Sequence, residues 1–521
     1  MRRVLTKYLR LPSPGRSEAG ALLSRRPALV GGLLLVLMLL TGLGWAVSSP
    51  VESSPDDNYH LGSIWCPRPS GESCQTSVVD GDPVVRVPIA VADESMRCYV
   101  LQSNKSAGCA LGYDDSHMVW SKRFDNGAYP IGYYHFHHLL VGKDVQTSVL
   151  VMRGVNVLIA VAVLGAVGLC APQGLRRPFI GAIVASWVPM GVYFIASNNP
   201  SSWAVSGLMA YSAATFMAPQ QKGSHRIALV ICAVIGAVMC LTSRYDAAFF
   251  LLVVGLALLF AVPWKRGGWI GLTALAGVAL LGVGTFMASS QVSKVAYFLR
   301  VFEASDPAKS ADKQPFFEKL LVGLETAPKY LGGFWGHTWT PGWHDVPLGA
   351  RAPYVLTIMA AGAFVAVGLR RGGWRKWTAL AIIAGSMVLL PALFYANGAM
   401  DTIELYQARY IFPLLAPTFF LMLAVDQDED AWFTVPQAVW VTVCISLCQT
   451  ITLHTLLLRF VQGANERWEL NLNKNIEWWW SAPVSPMMVW FLTTCFATAA
   501  LGTAIAMLTR TAEKHEATQH S

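Results

Sequence analysis

Two adjacent carboxylates and an imidazole stand close together at the start of a long polar segment. Asp56 and Asp57 follow Pro55, and His60 comes four residues after Asp56. Carboxylates in such a pair can act as a general base on a hydroxyl group, or they can bind a divalent cation. A helix-capping aspartate in a solvated loop would leave the same pattern, since Asp is favoured at helix N-termini. The motif by itself leaves both explanations open.

The elements that must position this motif are strongly hydrophobic. Of 521 residues, 54% are hydrophobic and only 13% are charged, whereas soluble domains carry about 25% charged residues. This composition excludes a soluble enzyme, a disordered chain and a coiled coil. The net charge of +8 would suit a nucleic-acid partner, but the basic residues lie in short clusters between apolar runs. We therefore predict an integral membrane protein that binds no nucleic acid.

Twelve apolar runs reach the length of about 20 residues that a membrane helix needs. They are centred near residues 38, 159, 187, 209, 235, 254, 278, 361, 386, 417, 445 and 496. The predicted fold class is therefore all-α, a polytopic transmembrane protein with about 12 spans. Basic clusters fall in alternate loops, at Arg176-Arg177, residues 222–226, Lys265-Arg266, Arg370-Arg371 and Arg375-Lys376. By the positive-inside rule these loops and both termini are cytoplasmic, which predicts a multi-pass protein of the plasma (cytoplasmic) membrane.

These spans divide the chain into seven regions. We predict a basic cytoplasmic N-terminus (1–27), a first anchor (28–48), an extracytoplasmic loop (49–144), membrane helices (145–288), a second extracytoplasmic loop (289–351), further membrane helices (352–509) with a Trp-rich outer loop (459–483), and a cytoplasmic tail (510–521). A cleaved signal peptide is the alternative for the first anchor. Its apolar stretch of about 20 residues exceeds the usual signal-peptide core of about 7–15 and favours an anchor.

Four cysteines share the first extracytoplasmic loop, at Cys66, Cys74, Cys98 and Cys109. An even number on the oxidising side of a membrane indicates two disulfides, for which three connectivities exist. We predict the local pairs Cys66–Cys74 and Cys98–Cys109. Free thiols are the alternative, and a zinc site is disfavoured because no CxxC spacing occurs.

Ionisable residues within the apolar runs lie toward the outer ends of those runs. They are Arg153, Arg244 with Asp246, Arg409 and His454. An ion-coupled transporter would place acids or bases near the membrane midplane. This distribution instead indicates a site at the outer membrane–water boundary.

Other residues admit a chemical and a structural explanation. His135, His137 and His138 could bind a metal together with His60 or His117, or they could belong to an aromatic belt at the interface. Trp343 and the run Trp478-Trp479-Trp480 could stack on sugar rings, although belt packing is the commoner role. A divalent cation (Mg²⁺ or Mn²⁺) is the one cofactor we retain. No nucleotide-binding fingerprint occurs, so a nucleotide-sugar donor is not expected.

Four segments resemble elements of an uncharacterised family of bacterial polytopic membrane proteins, in the same order. Pro55-Asp56-Asp57-Asn58-Tyr59-His60 resembles its Pro-Asp-Glu/Asp-x-x-His opening. Ala128-Tyr129-Pro130-Ile131-Gly132-Tyr133-Tyr134 resembles its Tyr-Pro-Pro-x-Tyr-Tyr element, with Ile in place of the second Pro. Gly342-Trp343-His344-Asp345 resembles its Gly-Trp-x-Asp segment, and Gln407-Ala408-Arg409-Tyr410-Ile411-Phe412-Pro413-Leu414-Leu415 its Gln-x-Arg-Tyr-Leu-x-Pro-Leu-Leu element. That family is similar to the GT-C-type glycosyltransferases, which use polyprenyl-phosphate-linked sugars.

The resemblance implies a GT-C-like fold with long extracytoplasmic loops and a glycosyltransferase activity. A sugar would pass from a polyprenyl-phosphate donor to a cell-envelope glycan or lipid acceptor on the outer face, with Asp56 and Asp57 as catalytic residues, either as base or through a bound cation. Residues implied in substrate binding are His60, Tyr129, Arg244, Asp246, Trp343, Asp345, Gln407, Arg409 and Tyr410.

The departing polyprenyl phosphate is an anion and needs cationic partners at headgroup depth. Arg153, Arg244, Arg351 and Arg409 are the candidates, with snorkelling interfacial arginine as the alternative explanation. Two other functions stay open. The protein could be a transporter or flippase of lipid-linked glycans, or a non-catalytic membrane protein of envelope assembly.

Overall fold

The computed structural model describes residues 27–92, 98–264, 268–288, 315–337, 340–346, 348, 352–398, 400, 402–403, 406–426, 432–464, 469–480 and 484–509. Several sequence predictions lie outside these residues. They concern the basic N-terminus up to residue 26, Lys265-Arg266, most of the loop 289–351 including Arg351, and the tail from residue 510 onward.

Helices form most of the described chain. In chain order they are α1 (Pro27–Ala46), α2 (Asp57–Trp65), α3 (Ser70–Ser73), α4 (Gly132–His138), α5 (Val145–Cys170), α6 (Gln173–Ala185), α7 (Pro189–Ile195), α8 (Ser201–Met217), α9 (Gly223–Ser243), α10 (Tyr245–Ala261), α11 (Trp269–Met287), α12 (Phe316–Glu325), α13 (Ala327–Gly332), α14 (Ala352–Gly368), α15 (Trp374–Ala396), α16 (Leu415–Ala424), α17 (Val435–Val461) and α18 (Pro486–Leu508). Eleven of the twelve apolar runs named above are centred within one of these helices, and the run near residue 187 is centred between α6 and α7.

The helix lengths support a polytopic helical membrane protein. Among the described residues, seven helices are long and apolar enough to cross a membrane: α1, α5, α9, α11, α15, α17 and α18. The bent pair α6–α7 raises this number to eight if it counts as one span, while α10, α14 and Phe412–Ala424 are shorter apolar helices. The count of 12 spans remains a prediction.

The run centred near residue 187 is not one straight helix. α6 and α7 meet at an angle of 94°, because Pro189 opens α7 and disfavours helical geometry at the residue before it. Val188 is accordingly extended, with φ −92° and ψ 153°. The Gln449 side chain donates to the Trp187 carbonyl at 3.1 Å. A backbone acceptor exposed by the break is thus satisfied inside the protein, as membrane burial requires.

Hydrogen bonds define two ends of the helix bundle. At one end, which we call the polar end, Asn199 donates to the Pro55 carbonyl and Trp480 to the Val47 carbonyl. At the opposite end, Gln221 donates to the Cys170 carbonyl and the Gly373 N–H to the Asp426 carboxylate. Successive membrane helices therefore run alternately between the two ends. The assignment of the polar end to the outside of the cell remains a prediction of the charge pattern.

The all-α prediction is incomplete in the polar segment. A three-stranded antiparallel sheet in the order β1-β2-β3 is formed by β1 (Thr76–Val79), β2 (Asp82–Pro88) and β3 (Met118–Ser121). Asp80 and Gly81 connect the first two strands with positive φ angles of 53° and 85°. This two-residue Asp-Gly loop is the strongest short-range signal for a hairpin, and the apolar-run analysis overlooked it.

The predicted cysteine partners lie at disulfide distance. Their Cα atoms are separated by 5.5 Å for Cys66 and Cys74 and by 6.2 Å for Cys98 and Cys109. Both values fall within the usual disulfide range of about 4.4–6.8 Å. The second pair closes a loop whose Tyr99 and Lys105 carbonyls accept hydrogen bonds from Arg459 of α17. This loop is thereby fixed against the membrane helices.

Replacing Cys98 by Ser should destabilise the polar segment. Loss of a disulfide from a small secreted domain typically costs about 2–5 kcal/mol, and here the freed loop also holds Arg459. We expect a lower unfolding temperature in detergent micelles, whereas Cys495→Ser, at an exposed free cysteine, should leave it unchanged. Thiol labelling of all four loop cysteines in unreduced membranes would contradict the pairing.

Candidate functional site

Asp56 occupies a left-handed backbone conformation immediately before α2. Its φ is 62° and its ψ is 15°, and its side chain makes no capping hydrogen bond to the helix. Asp is one of the few residue types that tolerate this region. The Asp57 carboxylate instead accepts the N–H of Ser54 at 3.1 Å. The helix-capping explanation therefore does not apply to Asp56, whose carboxylate is turned to other partners.

The main partner of Asp56 is Arg409. An Nη2 atom of Arg409 lies 2.6 Å from Oδ2 of Asp56, and Arg123 lies 3.6 Å from the other carboxylate oxygen. The Arg409 side chain is 3% exposed, against 34% for Asp56. Burial acts to raise the pKa of Asp56, but the Arg409 guanidinium and other nearby positive charge outweigh it, so that this pKa falls below its usual value. Asp56 is therefore ionised and still accessible.

Asp57 has a different environment from its neighbour. Its side chain is completely buried, with Arg153 at 3.8 Å. Burial is the main cause that raises the pKa of Asp57 to about 7, while Arg153 acts in the other direction and the charge of Asp56 adds a smaller upward contribution. The two carboxylates therefore differ in acidity, and the difference arises from the burial of Asp57 more than from like-charge repulsion.

Arg153 organises the connection between α1 and α2. Its guanidinium donates to the carbonyls of Ala46, Ser49 and Pro50 at 3.0, 2.7 and 2.8 Å. The side chain is 1% exposed. The structure thus uses this predicted phosphate ligand to hold the turn that leads to Asp56.

Arg244 lies at the junction of α9 and α10 and pairs with Asp246. Two of its nitrogens contact the two carboxylate oxygens, at 2.8 and 2.6 Å. The Arg244 guanidinium lies 5.7 Å from the ring centroids of both Tyr129 and Tyr410, and the Arg409 guanidinium lies 5.1 Å from that of Tyr410. Two guanidinium groups therefore meet at the ring of Tyr410, which fits cation–π contact.

The charged side chains of Asp56, Arg123, Arg244, Asp246 and Arg409 form what we call the charge cluster. Beside it, the rings of Tyr59, His60, Tyr129 and Tyr134 form what we call the aromatic wall. The Nδ1 atom of His60 is hydrogen-bonded to the Tyr134 hydroxyl at 2.9 Å, and the His60 ring centroid lies 5.2 Å from that of Tyr129. Burial lowers the pKa of His60 to about 3. The imidazole is neutral at ordinary pH and adds no positive charge to the site.

Asp125 positions the aromatic wall, and the sequence analysis missed it. Its carboxylate accepts hydrogen bonds from the Tyr59 hydroxyl at 3.0 Å, from Arg68 at 2.7 Å and from the N–H groups of Ala128 and Tyr129 at 2.8 and 3.0 Å. An aspartate that accepts from backbone N–H groups a few residues later forms a local turn. The Asp-Asn-Gly sequence that begins at Asp125 is a turn signal that could have revealed this role.

The segment around Trp343 brings an unpredicted histidine toward Arg409. His344 is hydrogen-bonded to the Thr340 carbonyl at 2.9 Å and to the side chain of Gln407. Burial, together with the charge of Arg409, lowers the pKa of His344 to about 4. Trp343 donates to the Glu52 carbonyl at 2.7 Å. The predicted residues Trp343 and Gln407 therefore support the site through hydrogen bonds.

Asp345 takes part in a second buried ion pair. Its Oδ2 lies 2.6 Å from Arg459 and also accepts the N–H of Leu101 at 3.1 Å. Arg459 donates to the Tyr99 carbonyl at 2.6 Å as well. The structure thus places this predicted substrate ligand where it joins the loop 340–346 to α17 and to the first polar segment.

The histidines of α4 do not converge on one point. His135 bonds to the Arg68 carbonyl, His137 to Asn156 and His138 to the Ile64 carbonyl. No metal-binding group of three or more His, Cys, Asp or Glu residues occurs within the part of the chain that the structure describes. Asp56 is already balanced by arginines and Asp57 faces Arg153, so the residues of this site do not fit a divalent cation. The involvement of a divalent cation remains a prediction.

The long apolar helices and the charge cluster at one end of the bundle define a polytopic helical membrane protein. Residues 39–418 match the model of a family described as a predicted membrane protein, DUF2142. That range is more than half of the 521 residues and contains all four motif segments, so the chain belongs to this family. No curated protein and no solved structure matches the chain.

Replacing Arg459 by Met should destabilise the protein strongly. Removal of one partner from a buried ion pair typically costs about 3–5 kcal/mol, and Asp345 would stay buried without its countercharge. We expect a lower unfolding temperature, which the second substitution Asp345→Asn should partly restore. If Asp345→Asn alone leaves stability unchanged and only raises a substrate KM, Asp345 is a substrate ligand instead.

The stability of the protein should fall with rising pH through Asp57. Its folded-state pKa of about 7 exceeds the ordinary 3.8, so the folded state retains a proton that the unfolded state releases. This stabilisation is complete at a pH below the pKa that Asp57 has in the unfolded chain. It is lost as the pH rises through the pKa that Asp57 has in the folded protein. Thermal unfolding measured from about pH 5 to about pH 8 should show this loss. Asp57→Asn should remove that dependence, whereas the exposed Asp82→Asn should keep it; equal slopes in all three proteins would refute the assignment.

Proposed function

We propose that this protein is a membrane glycosyltransferase that moves a sugar from a polyprenyl-phosphate donor to a cell-envelope glycan or lipid acceptor on the outer face. The observation that supports this most is the charge balance at the polar end. Three guanidinium groups (Arg123, Arg244 and Arg409) pair with two carboxylates (Asp56 and Asp246), so that this set of five side chains has a surplus of one positive charge. A surplus guanidinium charge at a membrane end suits an anionic lipid headgroup.

Arg409 and Arg244 are the proposed ligands of the donor phosphate. Both guanidinium groups face the ring of Tyr410, at 5.7 Å for Arg244 and 5.1 Å for Arg409 from its centroid. We therefore expect the two groups to be close enough to contact the same phosphate. Guanidinium groups match phosphate oxygens in a planar, two-point geometry that lysine does not provide. Both arginines lie at the polar end of the bundle, Arg244 at a helix junction and Arg409 just before α16, where we expect a lipid phosphate.

Asp56 is the proposed base toward the acceptor. The acceptor hydroxyl gives its proton to the Asp56 carboxylate, and its oxygen forms a bond to the anomeric carbon of the donor sugar. The bond from that carbon to the phosphate oxygen breaks, and polyprenyl phosphate leaves with the electron pair. Arg409 and Arg244 stabilise the negative charge of the departing phosphate, which is the electrostatic contribution expected of preorganised cations.

The Arg409–Asp56 ion pair couples donor binding to this base. While Arg409 is paired with Asp56, the lowered pKa of that carboxyl makes it a weak base. When a donor phosphate binds Arg409, the guanidinium charge is divided between the phosphate and Asp56. The pKa of Asp56 then rises, and its carboxylate becomes a stronger base. Donor binding would thus precede activation of the acceptor.

The aromatic rings beside the cluster are suited to hold sugar. Tyr59 and Tyr129 lie with ring centroids 5.7 Å apart, and Tyr129 also contacts Arg244. Aromatic faces offer apolar area with a polar edge, which matches a pyranose ring. The predicted substrate roles of Tyr129 and His60 fit this wall, in which His60 positions the tyrosines.

Asp56→Asn should abolish sugar transfer while preserving protein level and donor binding. General-base catalysis contributes about 10²- to 10⁴-fold in rate, and Asn retains an oxygen that accepts from Arg409. Transfer is measured with purified protein, a radiolabelled polyprenyl-phosphate sugar and envelope glycan acceptor. Arg409→Ala should instead weaken donor binding and raise the KM for donor. The matched control is Asp82→Asn, at an exposed carboxylate in the same polar segment.

Three results would contradict this proposal. Transfer that survives in both Asp56→Asn and Asp57→Asn would remove the base from this loop. Accumulation of an intact lipid-linked glycan on the inner leaflet of Asp56→Asn cells, with no lost linkage, would indicate a flippase. Unchanged donor lipids with lost assembly of other envelope proteins would indicate a scaffold.

A further inference from the structure

Beneath the charge cluster, two apolar cavities lie between α1, α5 and the broken pair α6–α7. The cavity toward the polar end has a volume of ≈ 100 Å³ and the one toward the opposite end ≈ 440 Å³. Five side chains line both of them: Met38, Val161, Leu164, Ile183 and Trp187. The two cavities therefore adjoin along these shared side chains, and we refer to the pair as the passage.

The passage is lined by apolar surface over most of its length. The hydroxyls along its wall are bonded to their own helices, as Thr41 is to the Leu37 carbonyl and Ser206 to the Ser202 carbonyl. Its lining residues on α1 extend from Ala28 to Gly42. At about 1.5 Å per helical residue this corresponds to a length of about 20 Å. The passage is thus suited to a long hydrocarbon chain.

The end of the passage toward the polar end of the bundle, which we call its upper end, adjoins the proposed phosphate ligands. Phe412, which lines the upper cavity, follows Arg409 by three residues. Ser206 also lines this cavity. It lies on α8, as does Ser201, whose hydroxyl accepts a hydrogen bond from Arg244 at 3.2 Å. An anionic group at the two arginines would therefore stand at the mouth of an apolar passage.

We propose that this passage holds the single isoprenoid chain of the lipid phosphate bound at Arg409 and Arg244. The inference rests on the proposed function and adds the path of the tail. One passage beneath one phosphate-sized cluster fits a lipid with one chain. A phospholipid carries two chains that would need parallel paths below the same headgroup.

The break between α6 and α7 gives this passage its upper half. Ser186 and Trp187 of the break and Gly191 of α7 line the upper cavity. A continuous helix, without the 94° bend, would carry these residues away from α1 and α5. The kink enforced by Pro189 thus connects the membrane interior to the charged site.

The test compares isoprenyl phosphates of two chain lengths on full-length protein in nanodiscs. Geranyl phosphate occupies only the part of the passage nearest the two arginines, whereas undecaprenyl phosphate fills it, so wild type should bind the longer phosphate at least about tenfold more tightly, equivalent to about 1.4 kcal/mol. Val161→Trp, in the wall shared by both cavities, should remove that preference. The matched control Leu158→Trp lies on the same helix at a position 52% exposed on the outer surface and should keep the preference.

The outcomes separate this inference from the proposed function. If geranyl phosphate binds in an Arg409-dependent way but Val161→Trp retains the chain-length preference, the passage assignment is wrong and the phosphate site stands. If wild type binds neither phosphate, the proposed function fails and this inference with it. A co-purified two-chain phospholipid that undecaprenyl phosphate does not displace also overturns the inference.

A second measurement uses wild-type protein and so does not depend on the folding of a variant. An undecaprenyl phosphate with a diazirine in the middle of its chain should label peptides from α1, α5 and α6. Competition by unlabelled undecaprenyl phosphate should suppress this labelling. Labelling confined to the lipid-facing surface of α9, where Val234 is 57% exposed, would contradict the proposed path.

Discussion

The ion pair between Asp56 and Arg409 joins two segments separated by 353 positions in the chain. Arg409 is buried, and a buried charge needs both a countercharge and hydrogen-bond acceptors. Asp56 supplies the countercharge, and the Pro55 carbonyl is one of the hydrogen-bond acceptors, at 3.3 Å. The left-handed conformation of Asp56 and the turn held by Arg153 bring the carboxylate to this position. Other elements approach this contact: Arg244 faces the ring of Tyr410 from the junction of α9 and α10, and His344 approaches Arg409 from the loop 340–346.

Much of this arrangement was accessible from the sequence because each segment carries a local signal. Apolar runs of membrane length locate the helices, and an even set of cysteines in one polar loop predicts two pairs that the structure brings to disulfide distance. The motifs that contain Asp56, Tyr129 and Arg409 lie far apart in the chain, yet the alternation of spans places them at the same end of the bundle. The ion pair between Asp56 and Arg409 is one physical consequence, and the contact of Arg244 with both Tyr129 and Tyr410 is another.

The rest depends on contacts between residues far apart in the chain, or on local signals that lie outside the pattern of apolar runs. Asp345 stands in a motif with Trp343, but only the folded chain shows that its carboxylate binds Arg459. His344 resembles an ordinary loop residue until its neighbours are known. The bend at Val188 follows from a proline whose effect is local, whereas hydropathy averaged over a long window cannot detect it. The small sheet was overlooked for a similar reason, because its strands are short and lie outside the apolar runs.

The most direct test of the central claim is a cryo-EM map of the wild-type protein in nanodiscs with a non-hydrolysable polyprenyl-phosphate sugar. The account predicts phosphate density within hydrogen-bond distance of the guanidinium groups of Arg409 and Arg244, with the sugar beside Tyr129 and the Asp56 carboxylate. Density for the lipid phosphate elsewhere on the protein, with the Arg409–Asp56 and Arg244–Asp246 pairs unchanged, would contradict it.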